Sequence, residues 1–265
     1  MAMQQEFHDL KGKWALILGA SSGFGAAAAL ALAKSGVNIC GVHLDRKSTM
    51  GMVEEVVAGI KSAGAKSVFF NVNASDPEKR KEIIAAMKAE TPSGFHVLLH
   101  SLAFGALKPL FSEDALSQAQ LEMTLDVMAH SLVYWTQDLV KAGMLSRGGR
   151  VFAMTSTGSQ RVWTSYGAVS AAKASLESYI RQMSLELAPL GITANAICAG
   201  VTDTPALRKI PGHEKMIELA SAKNPYKRLT TPQDVAQTIV ALSLPQTYWL
   251  TGNVLGVDGG EMSVD

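Results

Sequence analysis

Short apolar runs alternate with longer amphipathic or alanine-rich segments along nearly the whole chain. Short apolar runs bounded by polar or glycine-rich positions are typical of buried strands, and longer periodic segments are typical of helices. The predicted strands are Trp14–Leu18, Asn38–Leu44, Ser67–Asn71, Val97–His100, Arg150–Thr155, Ile192–Ile197 and Val254–Val257. The predicted helices are Gly25–Ser35, Met50–Ala63, Pro77–Glu90, Ala119–Leu145, Tyr166–Ala188 and Thr231–Leu242.

This strand–helix alternation predicts a parallel sheet with helices on both faces, because parallel neighbours need a crossover connection. We therefore expect a single doubly wound α/β domain of about seven strands over residues 1–265. Asp76 and Thr231 are predicted to cap the helices that begin at Pro77 and Pro232. The connection 202–226 carries three prolines and is predicted to be irregular, in the position of a lid over a substrate.

Composition excludes several classes of protein. Of 265 residues 48% are hydrophobic and 18% charged, which favours a large core over disorder. The net charge of +1, without a basic run, argues against nucleic-acid binding. No signal peptide or membrane-spanning run is seen, so we expect a soluble, cytoplasmic protein. Cys40 and Cys198 lie in apolar stretches and are predicted to be buried thiols, with no metal site.

A glycine-rich turn follows the first predicted strand, in the sequence LILGASSGFG. Gly19, Gly23 and Gly25 permit positive φ and let backbone N–H groups approach a pyrophosphate at a helix N-terminus. Ser21, Ser22 and Phe24 belong to the same predicted cofactor site. Any tight strand-to-helix turn favours glycine, and the spacing differs from the common GxGxxG pattern. The place directly after the first strand favours the dinucleotide interpretation.

The ends of the next strands supply further candidate cofactor contacts. An acidic residue after the second strand binds the adenosine ribose of NAD, whereas basic residues accept the 2′-phosphate of NADP. The sequence gives His43, Asp45, Arg46 and Lys47 there, and the two cations slightly favour NADPH over NADH. Ligands of such sheets bind outside the carboxyl ends of the strands. The remaining candidates at those ends are Asn71, near the adenine, with Val72, Ser101, Leu102 and Ala103.

The candidate reaction centre is Tyr166, with Lys173 seven positions further along the same predicted helix. Seven residues are about two helical turns, so the two side chains share a face. A tyrosine hydroxyl can stabilise an oxygen that gains negative charge, and a lysine can hold the cofactor. Ser156, at a strand end, is a candidate second donor. Taken alone, such a pair is more often packing plus a solvated charge.

From Lys11 to about Gly260 the chain resembles the short-chain dehydrogenase/reductase superfamily. The resemblance rests on GASSGFG, Tyr166 and Lys173, NAICAG followed by Thr204, and VDGG. It implies a Rossmann-type fold, a nicotinamide cofactor and a homotetramer built on the long helices and the last strand. It also implies that Lys173 contacts the cofactor ribose, and that the cofactor site includes Gly200, Val201, Thr202 and Thr204.

The departures from that superfamily point to one branch. Its usual tyrosine, four residues before the lysine, is replaced here by Val169, and its usual helix asparagine by Met128. A tyrosine separated from the lysine by six residues, as Tyr166 is from Lys173, together with the run HSLAF, resembles the enoyl-[acyl-carrier-protein] reductases. That resemblance implies hydride transfer from NAD(P)H to the C=C bond of a 2-enoyl thioester in fatty-acid synthesis. The thioester would be carried by an acyl-carrier protein or by CoA.

Two other functions stay open on the sequence. The first is a carbonyl reductase, such as a hydroxysteroid or 3-oxoacyl dehydrogenase, which Ser156 favours because such enzymes use a serine there. Val169 and Met128 count against it. The second is a catalytically inactive protein that senses nucleotides, which would bind the cofactor without turning over a substrate. The presence of both Tyr166 and Lys173 argues against it.

Overall fold

A parallel sheet forms the centre of the molecule, in a computed structural model that describes residues 10–264. The strand order is β3-β2-β1-β4-β5-β6-β7, and every neighbouring pair is parallel. The predicted doubly wound α/β fold is therefore confirmed. Residues 1–9 and 265, which the predicted domain includes, lie outside the described residues. The strands are β1 (Trp14–Leu18), β2 (Asn38–His43), β3 (Ser67–Asn71), β4 (Phe95–His100), β5 (Leu145–Ser156), β6 (Thr193–Ala199) and β7 (Val254–Val257).

Helices cover both faces of this sheet. Because side chains alternate along a strand, neighbouring residues enter different cores, and a strand covered on both faces reads as a continuous apolar run. Leu16 of β1 packs in one cluster and Ile17 in the other. The helices are α1 (Gly23–Lys34), α2 (Met50–Ser62), α3 (Pro77–Glu90), α4 (Gln118–Leu125), a π-helical segment (Asp126–His130), α5 (Ser131–Lys141), α6 (Gly167–Glu186), α7 (His213–Lys223) and α8 (Pro232–Leu242).

The predicted caps and thiols are confirmed. The Asp76 carboxylate accepts hydrogen bonds from the N–H groups of Glu78 and Lys79, and the Thr231 hydroxyl accepts one from Asp234. Both cysteines are buried and free. Among residues 10–264, no helix is long and apolar enough to cross a bilayer.

Two predicted segments need correction. The helix predicted to reach Leu145 ends at Lys141, because Gly143 adopts a φ of +67° and turns the chain into β5. Leu145 instead pairs with Phe95 of β4. The segment 202–226, predicted to be irregular, contains the helix α7. Its prolines lie before and after α7 rather than within it, so they are compatible with the helix.

The chain reverses its direction of progress across the sheet between β1 and β4. Successive strands first add outward from β1 to β3 and then continue from β4 to β7 on the other side. In open α/β sheets the crevice for a ligand lies at this point, outside the carboxyl ends of the strands. The loops that follow Leu18 and His100 therefore define where the site lies.

Candidate active site

A cavity of about 940 Å³ occupies this carboxyl edge. Its volume lies near the upper end for a small-molecule site. Of the site residues predicted from the sequence, the following line it: Gly19, Ser21, Ser22, Gly23, Phe24, His43, Val72, Ser101, Leu102, Ala103, Ser156, Tyr166, Lys173, Gly200, Val201, Thr202 and Thr204. Gly25, Asp45, Arg46 and Asn71 lie beside the cavity and do not line it.

The glycine turn is so tight that side chains would not fit. Gly19 has a φ of +90°, and a Cβ there would lie 2.5 Å from the Ser101 carbonyl oxygen. A Cβ on Gly25 would lie 2.0 Å from the carbonyl oxygen of Gly19. Ser22 precedes α1 and makes no side-chain cap, so the first N–H groups of α1 are left for another acceptor. This turn fits the pyrophosphate of a dinucleotide cofactor.

Beside the turn, the Asp45 carboxylate is fixed towards the protein. Its Oδ2 lies 3.0 Å from His43 Nδ1, and only 10% of the side chain is exposed. Burial alone would raise the pKa of Asp45, but hydrogen bonds from Thr49, Ser21 and His43 outweigh it and leave the pKa below its ordinary value. Arg46 is exposed. The group held next to the glycine turn is therefore an anion.

Asn71 stabilises the loop that carries Asp45. Its Oδ1 accepts a hydrogen bond of 2.9 Å from the Asp45 backbone N–H, and its Nδ2 donates one of 3.0 Å to the Asp45 carbonyl. The cavity wall at the end of β3 is formed instead by Val72 and Asn73. The predicted adenine contact of Asn71 stays a prediction, and its observed partner is the loop that carries Asp45.

Tyr166 lies directly before α6, with its ring against the chain that follows β5. Gly158 makes room for the ring, since a Cβ there would lie 2.4 Å from Tyr166 Cε1. Ser165 has a φ of +61°, a backbone strain of the kind that clusters at functional sites. Burial raises the pKa of the Tyr166 phenol, and a hydrogen bond with Ser156 only partly offsets it. The phenol is therefore a hydrogen-bond donor at neutral pH.

Lys173 is buried at the base of the cavity and is held by the backbone of β5. Its Nζ donates a hydrogen bond of 2.7 Å to the Met154 carbonyl. Burial lowers the pKa of Lys173 to about 8, although the nearby Glu177 carboxylate opposes the shift. Glu177 is itself buried and accepts a hydrogen bond of 2.6 Å from the Thr155 hydroxyl. The Lys173 ammonium is thus fixed in place.

Apolar atoms fill the positions where the superfamily usually places its tyrosine and its asparagine. Val169 and Met128 both line the cavity and meet at Gly105. A Cβ on Gly105 would lie 2.8 Å from Met128 Sδ and 2.8 Å from Val169 Cγ2. Met128 belongs to the π-helical segment, a feature often found at functional sites. The cavity that Tyr166 lines therefore has no ionisable group at these two positions.

His100 is a structural residue rather than a base. It is fully buried, and its Nε2 lies 2.8 Å from Ser131 Oγ, which in turn donates to the Val127 carbonyl. Burial and the nearby Lys173 lower the pKa of His100 to about 3. The imidazole is therefore neutral throughout the physiological range.

Sequence reasoning did not identify several residues of the cavity. Lys209, Met216, Leu219 and Lys223 line it from the segment of α7. Glu261 lines it from beyond β7, and its carboxylate accepts a hydrogen bond of 3.1 Å from the Val201 N–H. Glu261 directly follows the motif VDGG, and this position is the local feature of the sequence that could have indicated its place near the site. Long-range folding brings the others to the site.

Residues 19–261 match a family model described as "Enoyl-(Acyl carrier protein) reductase". The chain belongs to this family, within the short-chain dehydrogenase/reductase superfamily. It is therefore an oxidoreductase of a family that uses NAD(P)H, as the glycine turn and Lys173 indicated.

Similar proteins carry out more than one reduction. The chain is 30% identical to the 1-cyclohexenylcarbonyl-CoA reductase of Streptomyces collinus, covering 97% of this chain and 89% of the relative. It is 26% identical to the 3-oxoacyl-[acyl-carrier-protein] reductase of Thermotoga maritima, covering 95% and 98%. A solved enoyl-[acyl-carrier-protein] reductase (NADH) from Aquifex aeolicus has a TM-score of 0.83 at 25% identity, covering 96% and 97%.

Proposed function

We propose that this protein transfers a hydride from NADH to the C=C bond of a 2-enoyl thioester. The observation that carries the proposal is the surroundings of Tyr166. Its phenol is a protonated donor inside the cavity, while Val169 and Met128 present apolar atoms at the positions usual for carbonyl reduction. Reduction of a C=C bond requires one donor to the oxygen, because the final proton goes to carbon.

The chemistry divides between the cofactor and the chain. When bound, the reduced nicotinamide supplies a hydride for the β-carbon of the enoyl group. Negative charge then develops on the thioester oxygen as an enolate. The Tyr166 O–H, oriented by its contact with Gly158 and by Ser156, donates a hydrogen bond to that oxygen. The Lys173 ammonium, held on the Met154 carbonyl, makes the base of the site electropositive.

The position of Asp45 supports NADH, against the slight preference for NADPH from the sequence. That preference rested on Arg46 and Lys47, and both side chains are exposed. The Asp45 carboxylate, hydrogen-bonded to Ser21 and His43 beside the glycine turn, would repel a 2′-phosphate. A carboxylate after the second strand is also the usual acceptor for the ribose hydroxyls of NAD in dinucleotide-binding folds.

The alternative is reduction of a 3-oxoacyl thioester, and Ser156 favours it. The Ser156 hydroxyl lies near the Tyr166 phenol and lowers its pKa, so it is placed to act as a second donor for a ketone oxygen. The similarity to a 3-oxoacyl reductase points the same way. Met128 and Val169 count against it, since neither side chain can take part in a proton relay at those positions.

The proposal extends to a homotetramer that acts in fatty-acid synthesis, as the resemblance implies. Tyr248 and Trp249 are exposed next to β7, which forms the edge of the sheet. Large exposed aromatic side chains beside an edge strand support an interface between copies there.

Substituting Tyr166 by Phe tests the proposal. We expect kcat with a crotonyl thioester to fall roughly 10²–10³-fold, because one oxyanion donor is lost. Cofactor affinity, measured by fluorescence titration, should change little. Tyr179→Phe is the matched control: Tyr179 lies on α6, the helix that Tyr166 precedes, but its hydroxyl hydrogen-bonds His130 outside the cavity. Wild-type turnover in Tyr166→Phe would refute the role of this phenol.

A further inference from the structure

Three cationic side chains line the cavity without an ionic partner. Arg161, Lys209 and Lys223 form no ion pair or side-chain hydrogen bond within residues 10–264. Neighbouring cations outside the cavity are paired: Arg208 Nε lies 2.7 Å from Asp203 Oδ1, and Lys108 pairs with Asp114. Among residues 10–264, no carboxylate therefore forms an ion pair with the three charges on the wall of the cavity.

The fold brings two of these cations together through one hydrogen bond. Trp163 Nε1 donates to the Pro211 carbonyl at 3.0 Å, and this contact joins the loop after β5 to the segment before α7. Arg161 lies two residues before Trp163, and Lys209 lies two residues before Pro211. Both cations consequently flank the same junction.

Lys223 approaches from the end of α7, whose Met216 and Leu219 line the same cavity. Glu261 lies within electrostatic reach of both Lys223 and Arg161, because both lower its pKa while burial raises it. The three cations therefore belong to one region of the cavity and come from three separate segments.

The three cations outnumber the carboxylates near them. Glu261 is one anion within reach of Arg161 and Lys223, but it forms no ion pair with either in the described part of the chain, and its carboxylate is held by the Val201 N–H. The Asp126 carboxylate interacts with Tyr134. Lys173 lies deeper, on the Met154 carbonyl. A ligand that reaches past the reaction centre towards Arg161, Lys209 and Lys223 therefore meets a site suited to an anion.

We propose that Arg161, Lys209 and Lys223 bind the phosphate groups of a CoA thioester. This inference rests on the proposed function and names the carrier of its substrate. CoA has a pyrophosphate and a 3′-phosphate, whereas the arm of a carrier protein has a single phosphodiester. Three separate cations on the cavity wall fit the several phosphates of CoA better than the single phosphodiester of a carrier-protein arm. Arginine can bind phosphate with two N–H groups, and lysine binds it as a point charge.

The test compares four substrates: crotonyl-CoA, crotonyl-3′-dephospho-CoA, crotonyl-pantetheine and crotonyl-acyl-carrier protein. The measured quantity is kcat/KM for crotonyl-CoA divided by kcat/KM for crotonyl-pantetheine. We expect each of Arg161→Ala, Lys209→Ala and Lys223→Ala to lower this ratio roughly twofold to fivefold, and the triple variant roughly tenfold or more. The kcat/KM for crotonyl-3′-dephospho-CoA should lie between the values for crotonyl-CoA and crotonyl-pantetheine. General damage to the fold lowers both rates and leaves the ratio unchanged.

Lys215→Ala is the matched control, because Lys215 is exposed on α7 and does not line the cavity. Its ratio should equal that of the wild type. An unchanged ratio in the triple variant would overturn the assignment, as would an effect seen only with crotonyl-acyl-carrier protein. If no thioester is reduced, the proposed function fails. Calorimetric titration with free CoA then still decides the site: equal affinity in wild type and triple variant overturns it, and a loss of roughly tenfold or more in the triple variant supports it.

Discussion

Backbone groups fix the charged side chains around the reaction centre before any ligand arrives. The Met154 carbonyl holds Lys173, and the Val201 N–H holds Glu261. The ring of Tyr166 packs against the backbone of Gly158, because glycine has no Cβ that would occupy this space. Groups that are already oriented need no reorganisation when charge develops on the substrate, so their electrostatic effect is large.

The buried ammonium of Lys173 predicts the alkaline limb of the pH profile. Its pKa is lowered to about 8, so the free enzyme loses this charge as the pH rises through that value. We expect kcat/KM for the cofactor to fall above about pH 8. The Tyr166 phenol titrates above its ordinary value and His100 near 3, so neither produces this limb. Lys173→Arg should lack the limb, and a flat wild-type profile to pH 10 would contradict the role of Lys173.

Asp45 makes a prediction about the choice of cofactor. We expect the wild type to prefer NADH, and Asp45→Asn to shift the ratio of kcat/KM values towards NADPH roughly tenfold, because a like charge is removed. Arg46→Ala is the comparison. If the wild type prefers NADPH and Arg46→Ala abolishes that preference, Arg46 faces the ribose and the account of Asp45 is wrong.

Among the elements, the segment of α7 and the loop after β5 form one wall through the contact between Trp163 and Pro211. Trp163→Phe removes that hydrogen bond, worth about 1 kcal/mol. We expect KM for the thioester to rise roughly twofold to tenfold, with kcat and cofactor affinity nearly unchanged. Steady-state kinetics with the thioester measures KM and kcat, and a binding titration measures the affinity for the cofactor. An equal loss with the cofactor would show that this wall is not specific to the substrate side.

The strands and most helices were predictable because local patterns decide them. Every position of β1 is apolar because both faces of the sheet are covered. Asp76 followed by Pro77 is a local pattern typical of a helix start. The helix α7 was missed because Pro211 and Gly212 precede it closely and Pro225 follows it closely, as in an irregular connection. The π-helical segment at Met128 has no comparable local signal.

Only the local features of the site could be predicted from the sequence. The glycine turn and the spacing of Tyr166 and Lys173 are local features, and the structure places them in one cavity. The orientation of Asp45 depends partly on Ser21, which lies in the distant turn after β1, and partly on His43, two residues before it. Likewise, Arg161 and Lys209 are brought to one junction by tertiary contacts. Sequence spacing alone contains neither fact.

In the whole molecule, the reversal of strand order between β1 and β4 places the cofactor turn and the reaction centre at one edge of the sheet. This arrangement is shared by relatives that carry out different reductions, so the fold alone does not select the bond that is reduced. In the proposed function, the selection comes from a few side chains at that edge: Tyr166 as donor, with Val169 and Met128 as apolar neighbours in the cavity.

The most direct test of this account compares crotonyl-CoA with acetoacetyl-CoA under the same conditions, following the loss of reduced-nicotinamide absorbance and identifying the product by mass spectrometry. The account predicts oxidation of NADH with crotonyl-CoA to give butyryl-CoA, and little or none with acetoacetyl-CoA. Oxidation only with acetoacetyl-CoA, giving the 3-hydroxy product, would contradict the assignment of Tyr166 to C=C reduction and establish the 3-oxoacyl alternative.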